Sequence, residues 1–156
     1  MDTLVILSGW ATSFVVDSAF QKAIAKCLDR GTNVYIGYGY KASHEPKPKK
    51  AYEVEAKQNL KSLQEWCNQQ QTKGHLIVRY YPNHVKLLIC DEKFAVNGSF
   101  NCLSNAGRSV NEERSWIVYD REFISTELDI VIDGLMSPLK STRRDILKIP
   151  FPWSDR

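Results

Sequence analysis

The stretch Asn83-His84-Val85-Lys86-Leu87-Leu88-Ile89-Cys90-Asp91-Glu92-Lys93-Phe94-Ala95-Val96-Asn97-Gly98-Ser99-Phe100-Asn101 decides the fold. From His84 to Cys90 it is rich in aliphatic and β-branched residues and holds no Gly or Pro, which predicts a strand. Strand side chains alternate with period two, so His84, Lys86, Leu88 and Cys90 share one face and Val85, Leu87 and Ile89 the other. Asp91-Glu92-Lys93 is a polar break, and Phe94-Ala95-Val96 begins a second strand, so the local structure reads as a hairpin. The hairpin returns Gly98-Ser99-Phe100-Asn101 towards the start of the first strand, with Ser99 and Asn101 on matching parity. Gly98, having no Cβ, is expected to let a bulky anion approach the backbone. An imidazole, an ammonium, a hydroxyl and an amide thus converge on one point, where they could hold a phosphate.

Singly these residues carry little. A His at a strand start is usually a polar residue on a surface edge, and Lys86 could serve only to keep an edge strand from pairing. Ser99 and Asn101 could be turn residues that hydrogen-bond local backbone. Their joint spacing carries the signal. Asp91, at the hairpin turn, reads as a structural or orienting residue ahead of a direct participant.

Outward from the hairpin, the chain alternates strands and helices. Asp2 to Ser8 reads as a strand. Ala19, Phe20, Ala23, Ile24, Cys27 and Leu28 repeat with helical spacing, with Asp17 or Ser18 as cap and Gly31 as stop. Asn33 to Tyr38 is a second strand, which makes the opening a βαβ unit. Tyr40 to Lys50, with Pro46 and Pro48 among charges, reads as a loop. A helix follows with Ala56, Leu60, Leu63 and Cys67 as its buried stripe. His75 to Tyr81 and Glu113 to Asp120 read as further strands, and Phe123, Leu128, Ile132 and Leu135 suggest a last helix. This alternation predicts an α/β sandwich with a mixed central sheet flanked by helices.

The 156 residues fit one domain with a real core. A hydrophobic content of 43% and a charged content of 25% are ordinary for a soluble protein. No apolar run approaches the ~20 residues that span a bilayer, and the N-terminus lacks the marks of a signal peptide. Cys27, Cys67, Cys90 and Cys102 have no paired metal-ligand spacing, and three sit in apolar patterns. They read as buried free thiols in a reducing cytoplasm. The formal charge of +3 does not by itself identify a nucleic-acid binder. Lys41, Lys47, Lys49 and Lys50 cluster in one loop, as a weak candidate for phosphate-backbone contacts or as a solvated loop. Arg143, Arg144 and Lys148 form a weaker cluster, and the terminal PFPW segment either packs on the domain or meets a partner.

The spacing His84-x-Lys86, four residues, Asp91, six residues, Gly98-Ser99-x-Asn101 resembles the HKD signature of the phospholipase D superfamily, with every fixed position met. The resemblance extends in element order from about Leu4 to Asp120. It takes in LVILSGWATS, DRGTNVYIGYGY and, downstream, VNEERSWIVYD, whose Glu113, with Glu112 close behind, looks like the family's acidic residue before the next strand. Residues 121–156 would form a C-terminal helix and tail. The chain enters its first strand almost at once, without the extra N-terminal strand common in stand-alone members, which suggests a domain cut from a longer protein.

The resemblance implies a mechanism. The motif His84 would attack phosphorus to form a phosphohistidine, and a second His would protonate the leaving oxygen before water releases the product. Lys86, Asn101 and Ser99 would bind the phosphate oxygens, and Glu113 would hold the other imidazole nitrogen. Because lysines supply the positive charge, neither metal nor other cofactor is expected. One motif provides one His84, and His44 and His75 lack its surroundings. A homodimer with a composite site at its two-fold interface is therefore the expected assembly. Small single-motif members resemble nucleases, so nucleic acid, with DNA favoured over RNA, is the expected substrate. The alternatives are a phospholipid, for which Trp10, Phe14 and Phe100 would form an apolar rim, or a nucleic-acid-binding or assembly role in a larger defence or repair machine.

Overall fold

In the computed structural model, residues 2–39, 48–82, 85–104 and 113–137 are described. Strand β1 (Thr3–Ser8) leads into helix α1 (Ser18–Asp29), which Asp17 caps by accepting the Phe20 N–H at 2.9 Å. The helix ends at Arg30, and Gly31 follows at φ +90, a left-handed conformation that costs glycine little. β2 (Asn33–Tyr38), α2 (Pro48–Asn68) and β3 (Leu76–Tyr80) come next. The hairpin is β4 (Leu87–Cys90) and β5 (Phe94–Gly98), followed by β6 (Ser115–Val118) and α3 (Arg121–Met136).

The six strands form one sheet in the order β3-β2-β1-β4-β5-β6. β1 pairs in parallel with β2, and β2 with β3; the β1–β4, β4–β5 and β5–β6 pairs are antiparallel. The predicted α/β sandwich with a mixed sheet is therefore the observed fold. On one face, Ile6, Val34 and Ile36 meet Ile24 and Leu28 of α1 and Ala56, Leu60, Leu63 and Cys67 of α2. On the other, Val5, Leu7, Leu87, Ile89 and Ala95 meet Ile124, Leu128, Val131 and Leu135 of α3. Each large apolar side chain so buried contributes about 1.5–3 kcal/mol by leaving water. No helix among the described residues is long and apolar enough to cross a membrane.

Several expectations are corrected. Pro48, Lys49 and Lys50 open α2 instead of closing a loop, because proline is preorganised for the first helical turn; residues 40–47, with Lys41 and Lys47, lie outside the described residues. The buried stripe of α3 is Ile124, Leu128, Val131 and Leu135, whereas Phe123 is exposed and Ile132 only partly buried. Apolar residues stand side by side at 123–124 and 131–132, so spacing alone fits two phases. Asp120 caps the start of the helix through the Phe123 N–H at 2.8 Å, and packing on Val5, Leu7, Leu87, Ile89 and Ala95 selects the buried face. All four cysteines are free, but only Cys67 is buried. The first hairpin strand is shorter than expected, with Val85 and Lys86 preceding the ladder.

Candidate active site

Antiparallel pairing brings the carboxyl ends of β1, β2, β3 and β5 and the amino ends of β4 and β6 to one rim. Open α/β sheets present ligand sites at the carboxyl ends of strands, where the strand order reverses. Here that point is β1, with β2 and β3 on one side and β4 to β6 on the other.

Lys86 stands on this rim immediately before β4, and its carbonyl accepts the Gly98 N–H at 3.3 Å. Extending the β1–β4 register one residue beyond Leu7↔Leu87 sets Lys86 across from Ser8. The lysine is half-buried. Desolvation lowers its pKa below that of an exposed lysine, and the neighbouring Glu113 carboxylate opposes the shift.

Ser99 follows β5 and meets the residues entering β6. Its backbone N–H donates to Arg114 O at 3.0 Å, and its hydroxyl donates to the Glu113 carboxylate. The same hydroxyl oxygen accepts the Arg114 N–H at 3.1 Å. The hydroxyl expected to face a phosphate is thus spent on holding Glu113. Asn101 accepts the Gly9 N–H on Oδ1 at 3.1 Å, which orients the amide so that its Nδ2 donors point away from Gly9. Lys86, Ser99, Asn101 and Glu113 are accordingly brought to one end of the sheet.

Asp91 is not among them. It sits in the β4–β5 turn, at the opposite end of β4 from Lys86, with φ +51. Its carboxylate accepts the Thr3 N–H and the Lys93 ammonium, the latter at 2.9 Å, while its own N–H donates to Thr3 O at 2.8 Å. Burial works to raise its pKa, but these hydrogen bonds and the Lys93 charge outweigh burial and leave it below the usual carboxylate value. Its surroundings are those of a turn that pins the hairpin to the start of β1.

Gly98 has a steric reason beyond the one expected. A Cβ there would lie 2.4 Å from Arg114 O and 2.4 Å from Ser115 Oγ, so the glycine is required by the close passage of the chain entering β6. His84 and Glu112 lie outside the described residues, as does His44, and Lys49 and Lys50 fall in the first turn of α2. Among the described residues, no group of three His, Cys, Asp or Glu side chains is gathered for a metal ion.

Sequence reasoning missed the loop between β1 and α1. Ser8, buried beneath it, donates its hydroxyl to Trp10 O at 2.8 Å. Thr12 N–H donates to Leu103 O at 3.0 Å, so this loop and the Asn101 segment hold each other. The partners stand about ninety residues apart, and nothing in local spacing announces them.

A family model described as cardiolipin synthase, PLD-like domain, matches residues 8–130. In three dimensions the chain is similar to NucT from Helicobacter pylori, with TM-score 0.54 and 20% identity over 85% of this chain and 78% of that one. It is similar to a phosphatidylserine synthase from Haemophilus influenzae Rd KW20, with TM-score 0.61 and 21% identity over 85% of this chain and 32% of that one. It is also similar to Nuc, a phospholipase D family member from Salmonella typhimurium, with TM-score 0.50 and 17% identity over 85% of this chain and 76% of that one. Among curated proteins no match is found. The sheet order and the matching family model together define a phospholipase D-like α/β domain. The chain belongs to the phospholipase D superfamily.

Proposed function

We propose that this domain is a metal-independent phosphodiesterase that hydrolyses nucleic acid, DNA above RNA, through a phosphohistidine on His84. The observation that carries the reading is the convergence on one rim of a desolvated lysine, Lys86, an oriented amide, Asn101, and a carboxylate, Glu113, held by Ser99. An ammonium in a partly dry site stabilises charge developing on phosphate oxygens far better than it would in water. His84 stands two residues before Lys86 in the chain and supplies the nucleophile. Its ring nitrogen bonds to phosphorus as the bond to the leaving oxygen breaks, and a second imidazole donates a proton to that oxygen. Water then displaces the histidine, returning a proton to the second imidazole. Glu113 holds the imidazole in its reactive tautomer, and Ser99 positions Glu113. Lys49 and Lys50, with Lys41 and Lys47, add weaker backbone contacts, and the enzyme works in the cytoplasm.

The second imidazole comes from an identical chain. The face of the sheet that carries Ile6 continues through Leu88 and Val96 to Ile117, in register. Ile6 is 4% exposed beneath the helices, but Ile117 is 57% exposed among the described residues. Lys86 has the parity of this same face, so a copy seated there by a two-fold axis would face one half-site with the other. The partner subunit's His84 would then act as acid on the leaving group, and the two imidazoles would titrate as a coupled pair.

The test is cleavage of labelled single- and double-stranded DNA in excess EDTA by the wild type and His84→Ala. Cleavage by the wild type alone supports the reading; equal cleavage by both excludes His84 as the nucleophile. A second reading, a lipid phosphodiesterase, is favoured by Phe14, exposed at 52% near the rim. Release of headgroup from phosphatidylglycerol vesicles, with no DNA cleaved, would select it.

A further inference from the structure

Trp10 and Tyr52 stack at the edge of the site, with ring centroids 5.2 Å apart and planes at 26°. Neither ring is part of the two packed cores. Tyr52 remains 45% exposed, and Phe14 lies a few residues along the same loop. Two aromatic rings left beside a polar site contribute little to the core, yet the chain holds them firmly.

The restraints come from both sides. Before Trp10, Gly9 N–H donates to Asn101 Oδ1; after it, Ala11 O accepts from Asn59 Nδ2 at 3.1 Å. Ser13 N–H donates to Glu55 Oε1 at 3.2 Å. Tyr52, Glu55 and Asn59 are spaced i, i+3 and i+7, so one face of α2 carries the stacking partner and both clamps. Trp10 is therefore rooted one residue, about 3.8 Å along the chain, from the glycine bonded to the amide of Asn101.

Resting on the nuclease reading above, we infer that Trp10 and Tyr52 form a stacking platform for an unpaired nucleobase next to the scissile phosphate, so that the preferred substrate is single-stranded. Every base offers a π face, and a platform fixed in advance binds it without the entropy loss of ordering the rings. A duplex base has both faces occupied by its neighbours and cannot use it. In the sequence, Lys50 and Lys49 stand two and three positions before Tyr52.

The experiment compares a labelled oligothymidylate, the same strand carrying a run of abasic sites, and a duplex, each in binding and in cleavage. The proteins are the wild type, Trp10→Ala, Tyr52→Ala and the conservative Trp10→Phe, with thermal melts confirming that each is folded. The wild type should bind the base-bearing strand about tenfold or more tightly than the abasic strand, the range expected for one stacked base. That ratio should collapse towards one in both alanine variants and persist in Trp10→Phe, with the effect in KM and little in kcat. A wild-type ratio near one, or alanine variants that keep the wild-type ratio, would overturn the platform. Base-dependent binding without cleavage would keep the platform and remove the nuclease reading; cleavage without base dependence would do the reverse. Loss of phosphatidylglycerol vesicle binding in the alanine variants, with no oligonucleotide bound by the wild type, would assign the rings to a membrane surface and overturn both.

Discussion

The Ser99 hydroxyl donates to the Glu113 carboxylate while its oxygen accepts the Arg114 N–H. The two bonds lock the segment entering β6 to the residue leaving β5, and they leave the carboxylate close enough to Lys86 to act on its charge. The serine thereby fixes where the Glu113 carboxylate sits, and the charge of that carboxylate acts on the lysine.

Ser99→Ala should lower kcat roughly tenfold or more with little change in KM, the scale seen when an outer partner of a reactive group is lost. Steady-state kinetics on a labelled oligonucleotide checks this. A rise in KM with unchanged kcat would instead put Ser99 on the substrate.

Glu113→Gln should shift the pH profile as well as slow the reaction. If the Lys86 ammonium binds the phosphate, as proposed, activity falls as pH rises through the lysine pKa. Desolvation lowers that pKa and Glu113 opposes the lowering. Neutralising Glu113 removes the opposition, so the alkaline limb should move to lower pH. Lys86→Met should abolish the ammonium's share altogether, about 10²–10³-fold in kcat for a lost charge-stabilising donor. An alkaline limb that stays in place in Glu113→Gln would show that Lys86 does not set it.

The hairpin was legible because it is local: Leu87 to Gly98 runs through one polar turn, and period two converts spacing into pairing. The parallel β1–β2 pair and the stripe of α2 were legible for the same reason, since period two and period 3.6 are written into short windows. What escaped reading was long-range or degenerate. Gly9 finds Asn101 across 92 residues, and Gly98 meets Arg114 and Ser115, contacts that its local spacing does not announce. The face of α3 was ambiguous because adjacent apolar residues satisfy two helical phases, which packing on the sheet separates.

Asp91 separates architecture from catalysis. Its folded pKa is depressed, so its contribution to stability is present above the unfolded carboxyl value and is lost as pH falls through the folded one. Asp91→Asn tolerates φ +51 but loses the charge with which it accepts from Thr3 and Lys93, which should destabilise the hairpin turn. The variant should melt at lower temperature at neutral pH and lose the share of the wild type's acid sensitivity that comes from protonating this carboxylate. Turnover per folded molecule should change little, which circular dichroism melts and kinetics below the melting range will show.

Gly98→Ala should be more damaging than its size suggests. The added methyl would lie 2.7 Å from Ser115 Cα and closer still to Arg114 O, backbone that cannot swing aside like a side chain. Forcing the β5–β6 pair apart costs about 1–3 kcal/mol and loosens the Ser99–Glu113 bond. Stability and kcat should fall together, measured by denaturant midpoint and by turnover. A stable Gly98→Ala variant that lost only substrate affinity would return the glycine to an anion-binding role.

The proposed homodimer is tested at Ile117. Trp116 and Tyr119 are also exposed, both at 70%, but Trp116 lies on the α3 side of the sheet, whereas Ile117 continues the line Ile6–Leu88–Val96 towards the face of Lys86. A charge placed at 117 would be buried unpaired in a two-fold interface there, and would appear twice, once from each copy. Ile117→Lys should therefore convert a dimer to a monomer in light scattering and remove activity, while the same charge at Trp116 leaves the assembly intact. Mixing inactive Ile117→Lys with inactive His84→Ala should restore nothing, because the first cannot dimerise. A monomeric wild type that still cleaves DNA would overturn the composite site, since one chain would then have to supply both imidazoles from His84 and either His44 or His75.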